Sequence, residues 1–312
     1  MNLTKKFGPV WVGSGTRGFF GEGYWFHFLI PSLHKTTLVA KTTTAFKNAG
    51  NMELTANYTP KRLFPDCIRV DFLNGRMVNS VSLSGPGIDA LLAMERWQDL
   101  RKPFMISVMP VAKTEEDQKK EVRHFVESLK VALPHFRGRF RLAIQANVTC
   151  PNVGADMSKI EEKAKWILDM LGELGLPVFI KLNLLTEPEA AARITKHQHC
   201  SGICISNAIP FDELFHSEFW KRAYPHGSPM PLRYGKGGLS GKDLFSALLE
   251  WLNMFRKIDK ETYVNAGGGI MRARDVDLVY NAGANSISIT SVVVLRPWRI
   301  PSIIKRAYSL FL

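Results

Sequence analysis

The segments FMISVMP (104–110), EEDQKKEVRHFVESLKVAL (115–133) and RLAIQANVT (141–149) form one strand–helix–strand unit. The two outer segments are short and almost continuously apolar, as strands covered on both faces are. The middle segment places Val122, Phe125, Val126 and Leu129 on one helical face. Working outward, the same alternation recurs. Further strands are expected at 10–15 (VWVGSG), 38–44 (LVAKTTT), 177–183 (PVFIKLN), 202–208 (GICISNA), 262–268 (TYVNAGG) and 286–292 (SISITSV). Helices are expected at 158–175, where Ser158 and Glu161 have capping-box spacing, and from Lys242 to Ile258 and Arg272 to Asn281. Eight strands alternating with helices predict an α/β fold, a (β/α)8 TIM barrel forming a single domain over residues 1–312. A doubly wound open sheet is the rival, but no mid-chain linker divides two halves. The stretch 45–103 is too long for one loop, and Asn74-Gly75 between alternating runs predicts a small β-hairpin insertion near the barrel mouth. The Pro- and Gly-rich stretch 209–240 is a second excursion placed to cover a site.

Composition narrows the function classes. The 312 residues are 46% hydrophobic and 22% charged, enough to build a core. No apolar run is long enough to cross a bilayer, and the N-terminus lacks a signal-peptide pattern, so a cytoplasmic protein is expected. The net charge of +13 is spread along the chain, with RGRFR (137–141) the longest basic cluster. This favours solvated surface charge over a nucleic-acid patch. The cysteines at 67, 150, 200 and 204 form no CxxC, so no metal centre is expected. Cys200 and Cys204 lie in or beside an apolar run and read as packing residues. Cys150 sits in a polar turn after a strand.

Barrel chemistry gathers where strands end. Here those ends carry Ser14, Lys41, Thr42, Asn147, Thr149, Lys181, Asn183, Ser206, Asn207, Asn265 and Ser291. Two lysines and several amides at one mouth predict a site for an anionic or carbonyl-rich ligand. The GxGxxG match at Gly13–Gly18 is not a dinucleotide fingerprint, because the next strand ends in LVAKTTT without an acid. GGLSGKD (237–243) fails the P-loop pattern and reads as a Gly-rich turn opening a helix. With NAGGG (265–269) it makes two successive Gly-rich turns after late strands, an arrangement suited to a phosphate.

The most specific string is Asn147-Val148-Thr149-Cys150-Pro151-Asn152. It resembles the NxSCPN segment of the soluble, cysteine-dependent (class 1) dihydroorotate dehydrogenases, flavoenzymes of pyrimidine biosynthesis. The resemblance extends over LVAKTTT, VNSVSLSG (78–85), VFIKLN, ISNA, GGLSGK, NAGGGI and SITS. It implies an oxidoreductase that binds FMN and oxidises dihydroorotate. Cys150 would be the base. Lys41 and Lys181 would take part in catalysis and contact FMN. Asn79, Asn147, Asn152 and Asn207 would bind the pyrimidine. Ser14, Gly15, Thr42, Asn147, Gly238, Gly241, Gly268, Gly269, Thr290 and Ser291 would complete the flavin site. Three places depart from the family pattern: SLSG (82–85) stands where a GLPN-like stretch is usual, Ala208 stands where a hydroxyl residue is usual, and VGADMS (153–158) is short for the catalytic loop. The expected partner is a small pyrimidine, and a homodimer is compatible with this reading. A tRNA-dihydrouridine synthase, also an FMN barrel, is the alternative enzyme, and a non-catalytic flavin binder is the third reading.

Overall fold

A computed structural model describes residues 2–149 and 159–312. Its strands are β1 (Val10–Val12), β2 (Thr37–Val39), β3 (Ile68–Asp71), β4 (Arg76–Asn79), β5 (Phe104–Val108), β6 (Leu142–Asn147), β7 (Val178–Leu182), β8 (Cys200–Ile205), β9 (Ile209–Pro210), β10 (Gly238–Gly241), β11 (Val264–Gly267) and β12 (Ser286–Ile289). Its helices are α1 (Leu3–Phe7), α2 (Ile88–Ala93), α3 (Glu115–Ala132), α4 (Ile160–Gly172), α5 (Pro188–Thr195), α6 (Ser217–Ala223), α7 (Leu244–Ile258), α8 (Ala273–Asn281), α9 (Ser291–Leu295) and α10 (Ile300–Phe311). Eight strands close a barrel in the order β1-β12-β11-β8-β7-β6-β5-β2, each pair parallel. The helices lie between them, as the alternation predicted.

The period-two geometry of a strand explains the barrel's two cores. Outward residues such as Val12, Ile106, Ile144, Ile180, Ile205 and Ile287 join Phe125, Leu168, Leu248 and Ile303 of the helices in one large cluster. Burying each such side chain stabilises the fold by roughly 1.5–3 kcal/mol. Inward residues Trp11, Val39, Met105, Ala143, Phe179 and Cys204 fill the lower barrel, closed by Phe7 of α1. Trp11 meets Phe179 edge-on at 5.1 Å and stacks on Tyr263 at 5.9 Å. Above this apolar plug the inward positions become polar.

Several boundaries differ from expectation. β1 and β2 end at Val12 and Val39, short of the expected ends, although Gly13 N still donates to Ile289 O and Thr43 still bridges Val108 in parallel. The expected hairpin is present as β3 and β4, with Gly75 at φ +65° in its turn. It is half of a larger unit. GGLSG is not a turn but β10, which pairs antiparallel with β4 and with β9. The two insertions thus build one sheet, in the order β3-β4-β10-β9. α4 begins after Lys159, and the Glu161 carboxylate accepts from Arg193 at 2.7 Å. Ser158 lies outside the described residues. Among those residues, no helix is long and apolar enough to cross a membrane.

Candidate active site at the open end of the barrel

The inward parity that puts Phe179 in the plug puts Lys181 two residues higher, and Asn147 rises above Gln145 in the same way. Lys41 lies two residues beyond the end of β2. Both lysines are only 8% exposed. Burying an ammonium is costly unless it is paired, and each has an acceptor. Lys181 Nζ donates to Ser14 Oγ at 3.4 Å. Lys41 Nζ donates to the Ser84 carbonyl.

A continuous network extends from there. Ser14 Oγ lies 3.1 Å from Thr42 Oγ1, which lies 3.0 Å from Ser107 Oγ. Asn147 Nδ2 donates to Thr42 Oγ1 at 3.5 Å. Asn207 Nδ2 donates to Asn147 Oδ1 at 2.7 Å and to Thr149 Oγ1 at 2.9 Å. Residues at the ends of six barrel strands, β1, β2, β5, β6, β7 and β8, are therefore tied together, and their amides and hydroxyls are held in place before any ligand arrives. Just below, burial pushes the Cys204 thiol up to about 12, opposed by a Gln145 hydrogen bond and the Lys181 charge. Burial likewise pushes Cys200 up to about 11. Both behave as packing residues, as their sequence setting suggested.

These groups open into a cavity of about 1000 Å³. It is lined by Ser14, Gly15, Lys41, Thr42, Asn79, Asn147, Lys181, Asn207, Gly241, Gly268, Gly269, Thr290 and Ser291. Gly238 does not line it; that residue pairs with Asn79 inside the β4–β10 ladder. Cys150 and Asn152 lie outside the described residues. The apolar outer wall, including Tyr24, Trp25, Leu29, Phe64 and Leu83, was not anticipated, nor was Ser288 on the floor. Ser288 could have been found by carrying the inward parity of SISI upward. The outer wall comes from long excursions with no periodic signal.

The glycines fit a phosphate-bearing cofactor. A Cβ on Gly269 (φ +85°) would stand 2.7 Å from Phe245 N and 2.9 Å from Gly241 O. The two Gly-rich segments therefore approach each other closely at the start of α7. A Cβ on Gly268 (φ +113°) would meet nothing nearer than Leu244 at 3.8 Å, so that backbone faces open space. Buried Ser288 Oγ and Asn265 Oδ1 have no hydrogen-bond partner. Exposed backbone, unsatisfied polar atoms and two cations suit a flavin mononucleotide with its phosphate over the late glycines. No group of three or more His, Cys, Asp or Glu among the described residues could hold a metal ion.

Comparison with known proteins agrees with this geometry. The family model described as dihydroorotate dehydrogenase matches residues 17–310. The chain is 24% identical over 304 residues to the catalytic subunit of dihydroorotate dehydrogenase B (NAD(+)) of Latilactobacillus sakei, covering 95% of this chain and 87% of that one. It is 26% identical over 279 residues to dihydroorotate dehydrogenase A (fumarate) of Lactiplantibacillus plantarum, covering 83% and 76%. Among solved structures, DHODH from Eimeria tenella in complex with ferulenol superposes with a TM-score of 0.67 at 14% identity, covering 96% of this chain and 80% of that one. The low identity makes this last likeness one of fold. On the match of the family model over nearly its whole length, this chain belongs to the dihydroorotate dehydrogenase family.

Proposed function

We propose that this chain, acting as one domain over residues 1–312, oxidises dihydroorotate to orotate with FMN in the cytoplasm. The family consists of FMN-dependent oxidoreductases acting on CH–CH groups. The observation that carries the reading is the single network joining Lys181, Ser14, Thr42, Asn147 and Asn207 beneath one cavity whose far side is formed by Gly241, Gly268 and Gly269. FMN, when bound, supplies the two-electron acceptor for the C6 hydride.

The chain's residues do the rest. Cys150, which follows Thr149 in the family motif, takes the C5 proton as a thiolate. Asn79, Asn147, Asn152 and Asn207 bind the ring, since amides donate to carbonyls and accept from ring N–H groups. Lys181 and Lys41 place positive charge where negative charge develops, in a setting that excludes bulk water. Ser14, Thr42, Thr290, Ser291 and the late glycines hold the cofactor.

The test is spectral. Purified protein should carry equimolar FMN, bleach anaerobically with dihydroorotate, and show a flavin band shift with orotate larger than with uracil. A colourless protein that does not bind added FMN would refute the cofactor. A response to uracil or a tRNA fragment but not to orotate would refute the substrate.

A further inference from the structure

Two successive residues of the cavity wall, Ser82 and Leu83, hold left-handed backbones, at φ +54° and +56°. Neither is glycine, so the conformation persists only where the surroundings impose it. The segment 48–52 imposes it. Asn48 exchanges both backbone hydrogen bonds with Gly85 at 2.9 Å, and its Nδ2 donates to the Ser82 carbonyl at 2.8 Å and the Leu83 carbonyl at 3.2 Å. Asn51 N donates to the Val81 carbonyl at 3.0 Å, and Met52 N to Ser84 Oγ at 2.9 Å. A Cβ on Gly50 would stand 2.6 Å from Ser84 N and 2.8 Å from the Ser82 carbonyl oxygen, so the two segments touch backbone to backbone. Ser82 and Leu83 line the cavity; Asn48 and Asn51 stand behind them and do not.

The Asn51 side chain decides which role the Ser82 hydroxyl plays. Asn51 Nδ2 donates to the Ser80 carbonyl at 2.7 Å, and a carbonyl only accepts, which fixes the orientation of the amide. The same nitrogen donates to Ser82 Oγ at 3.1 Å. Ser82 Oγ is thus an acceptor on its protein side, and its own proton meets no acceptor among the described residues. The hydroxyl is a donor held ready at the cavity wall. Charge says what it would meet. Lys41 Nζ donates to the Ser84 carbonyl of the same turn, and no Asp or Glu lines the cavity among the described residues. A hydroxyl donor beside an ammonium suits a carboxylate.

We propose that Ser82 determines substrate specificity: its hydroxyl, oriented by Asn51, donates to the substrate carboxylate beside Lys41. The inference rests on the dihydroorotate reading of the site. Asn48 and Asn51 are positioning residues, which act through the turn and touch no ligand. Ser82 opens SLSG, the stretch where the family pattern is GLPN-like. A glycine at its head would take the left-handed backbone without strain but would bring no donor. This chain therefore replaces an easily formed turn by a strained one that carries an additional hydrogen bond to the ligand, and the two asparagines hold the strain.

The experiment is a flavin spectral titration of the FMN-loaded parent, Ser82→Gly and Ser82→Ala with orotate and with uracil, which lacks the carboxylate. Ser82→Gly keeps the turn at no steric cost, so a loss it causes belongs to the hydroxyl. Both variants should bind orotate roughly tenfold or more weakly, the size of a lost hydrogen bond to a charged group, and should leave the uracil response unchanged. Asn51→Ala should also weaken orotate, and adding it to Ser82→Gly should weaken orotate little further, because Asn51 acts through the hydroxyl. Equal orotate binding by parent and Ser82→Gly overturns the proposal, as does an equal loss for orotate and uracil, which would mean that the turn serves shape alone. Fully additive losses overturn the role of Asn51; should Asn51→Ala not fold, the two Ser82 variants decide. A parent that responds to uracil but not to orotate removes the dihydroorotate reading and this inference with it. A parent that binds orotate no better than Ser82→Gly does removes the inference alone.

Discussion

At the scale of single residues, Cys67 and Cys204 are packing residues, and Cys150 is the proposed base. Cys204 is buried in the barrel plug with its thiol pushed up to about 12 by burial, and burial pushes Cys67 up to about 11. Neither supplies a thiolate near neutral pH, so alkylation of Cys67 and Cys204 at pH 8 should be slow in native protein and fast after unfolding, as read by mass spectrometry. Cys150→Ala should retain FMN and slow flavin reduction by roughly two to four orders of magnitude, the usual size of a lost general base. Stopped-flow reduction by dihydroorotate measures it, and a rate equal to the parent's would remove Cys150 from the reaction. Asn207 holds two neighbours through one amide nitrogen. Asn207→Ala should weaken orotate binding about tenfold or more, because partners left unpaired in a buried site cost roughly 1–3 kcal/mol. A spectral titration at constant FMN content checks this against simple loss of cofactor.

At the scale of elements, two segments carry measurable strain or charge. Gly269 combines φ +85° with backbone contacts that a Cβ would violate. Gly269→Ala should therefore destabilise the protein by at least about 1 kcal/mol and release FMN, visible as a lower melting temperature and a colourless preparation. Gly175, at φ +64° with open space around it, is the control: alanine there strains the backbone without blocking anything. The 3-10 helix at the mouth contains His27, whose imidazole is pushed down to about 4 by burial and, less, by the nearby Arg17. The folded state therefore prefers neutral His27, while the unfolded chain takes a proton near the usual value of 6.5. Its contribution is fully present above about pH 6.5 and is lost as pH falls toward 4. The melting temperature of the parent should fall more steeply across that window than that of His27→Gln. Parallel slopes would mean that His27 is not desolvated in the fold.

At the scale of the whole molecule, the candidate cofactor site is shared by elements distant in sequence. Ser14, Lys181 and Gly268 line one cavity, although they follow or lie in β1, β7 and β11. A ligand bound there ties early and late strands of the closed barrel together. FMN should raise stability as any ligand of the native state does, by about 2.7 kcal/mol at a free concentration one hundred times its Kd. Thermal melts of stripped protein with added FMN would test this, and a melting temperature indifferent to FMN would place the flavin elsewhere.

Much of this was legible in one dimension. Each barrel strand was visible because a strand between helices on one side and a packed interior on the other is apolar on both faces in its lower part, as Leu142, Ala143 and Ile144 of β6 are. Lys41, Lys181, Asn147 and Asn207 were legible for the opposite reason: polar residues ending such runs have nowhere to go but the open end. The Asn74-Gly75 turn was local chemistry, set by the left-handed backbone that glycine accepts. What tertiary structure alone decided was pairing between distant segments. GGLSG became a strand because β4 and β9 offered it ladders on both edges, an advantage no local pattern encodes. The Glu161–Arg193 ion pair forms because α5 lies beside α4. The apolar mouth was hidden because Trp25, Phe64 and Trp298 belong to excursions far apart in the chain, and only closure of the barrel brings them around one opening.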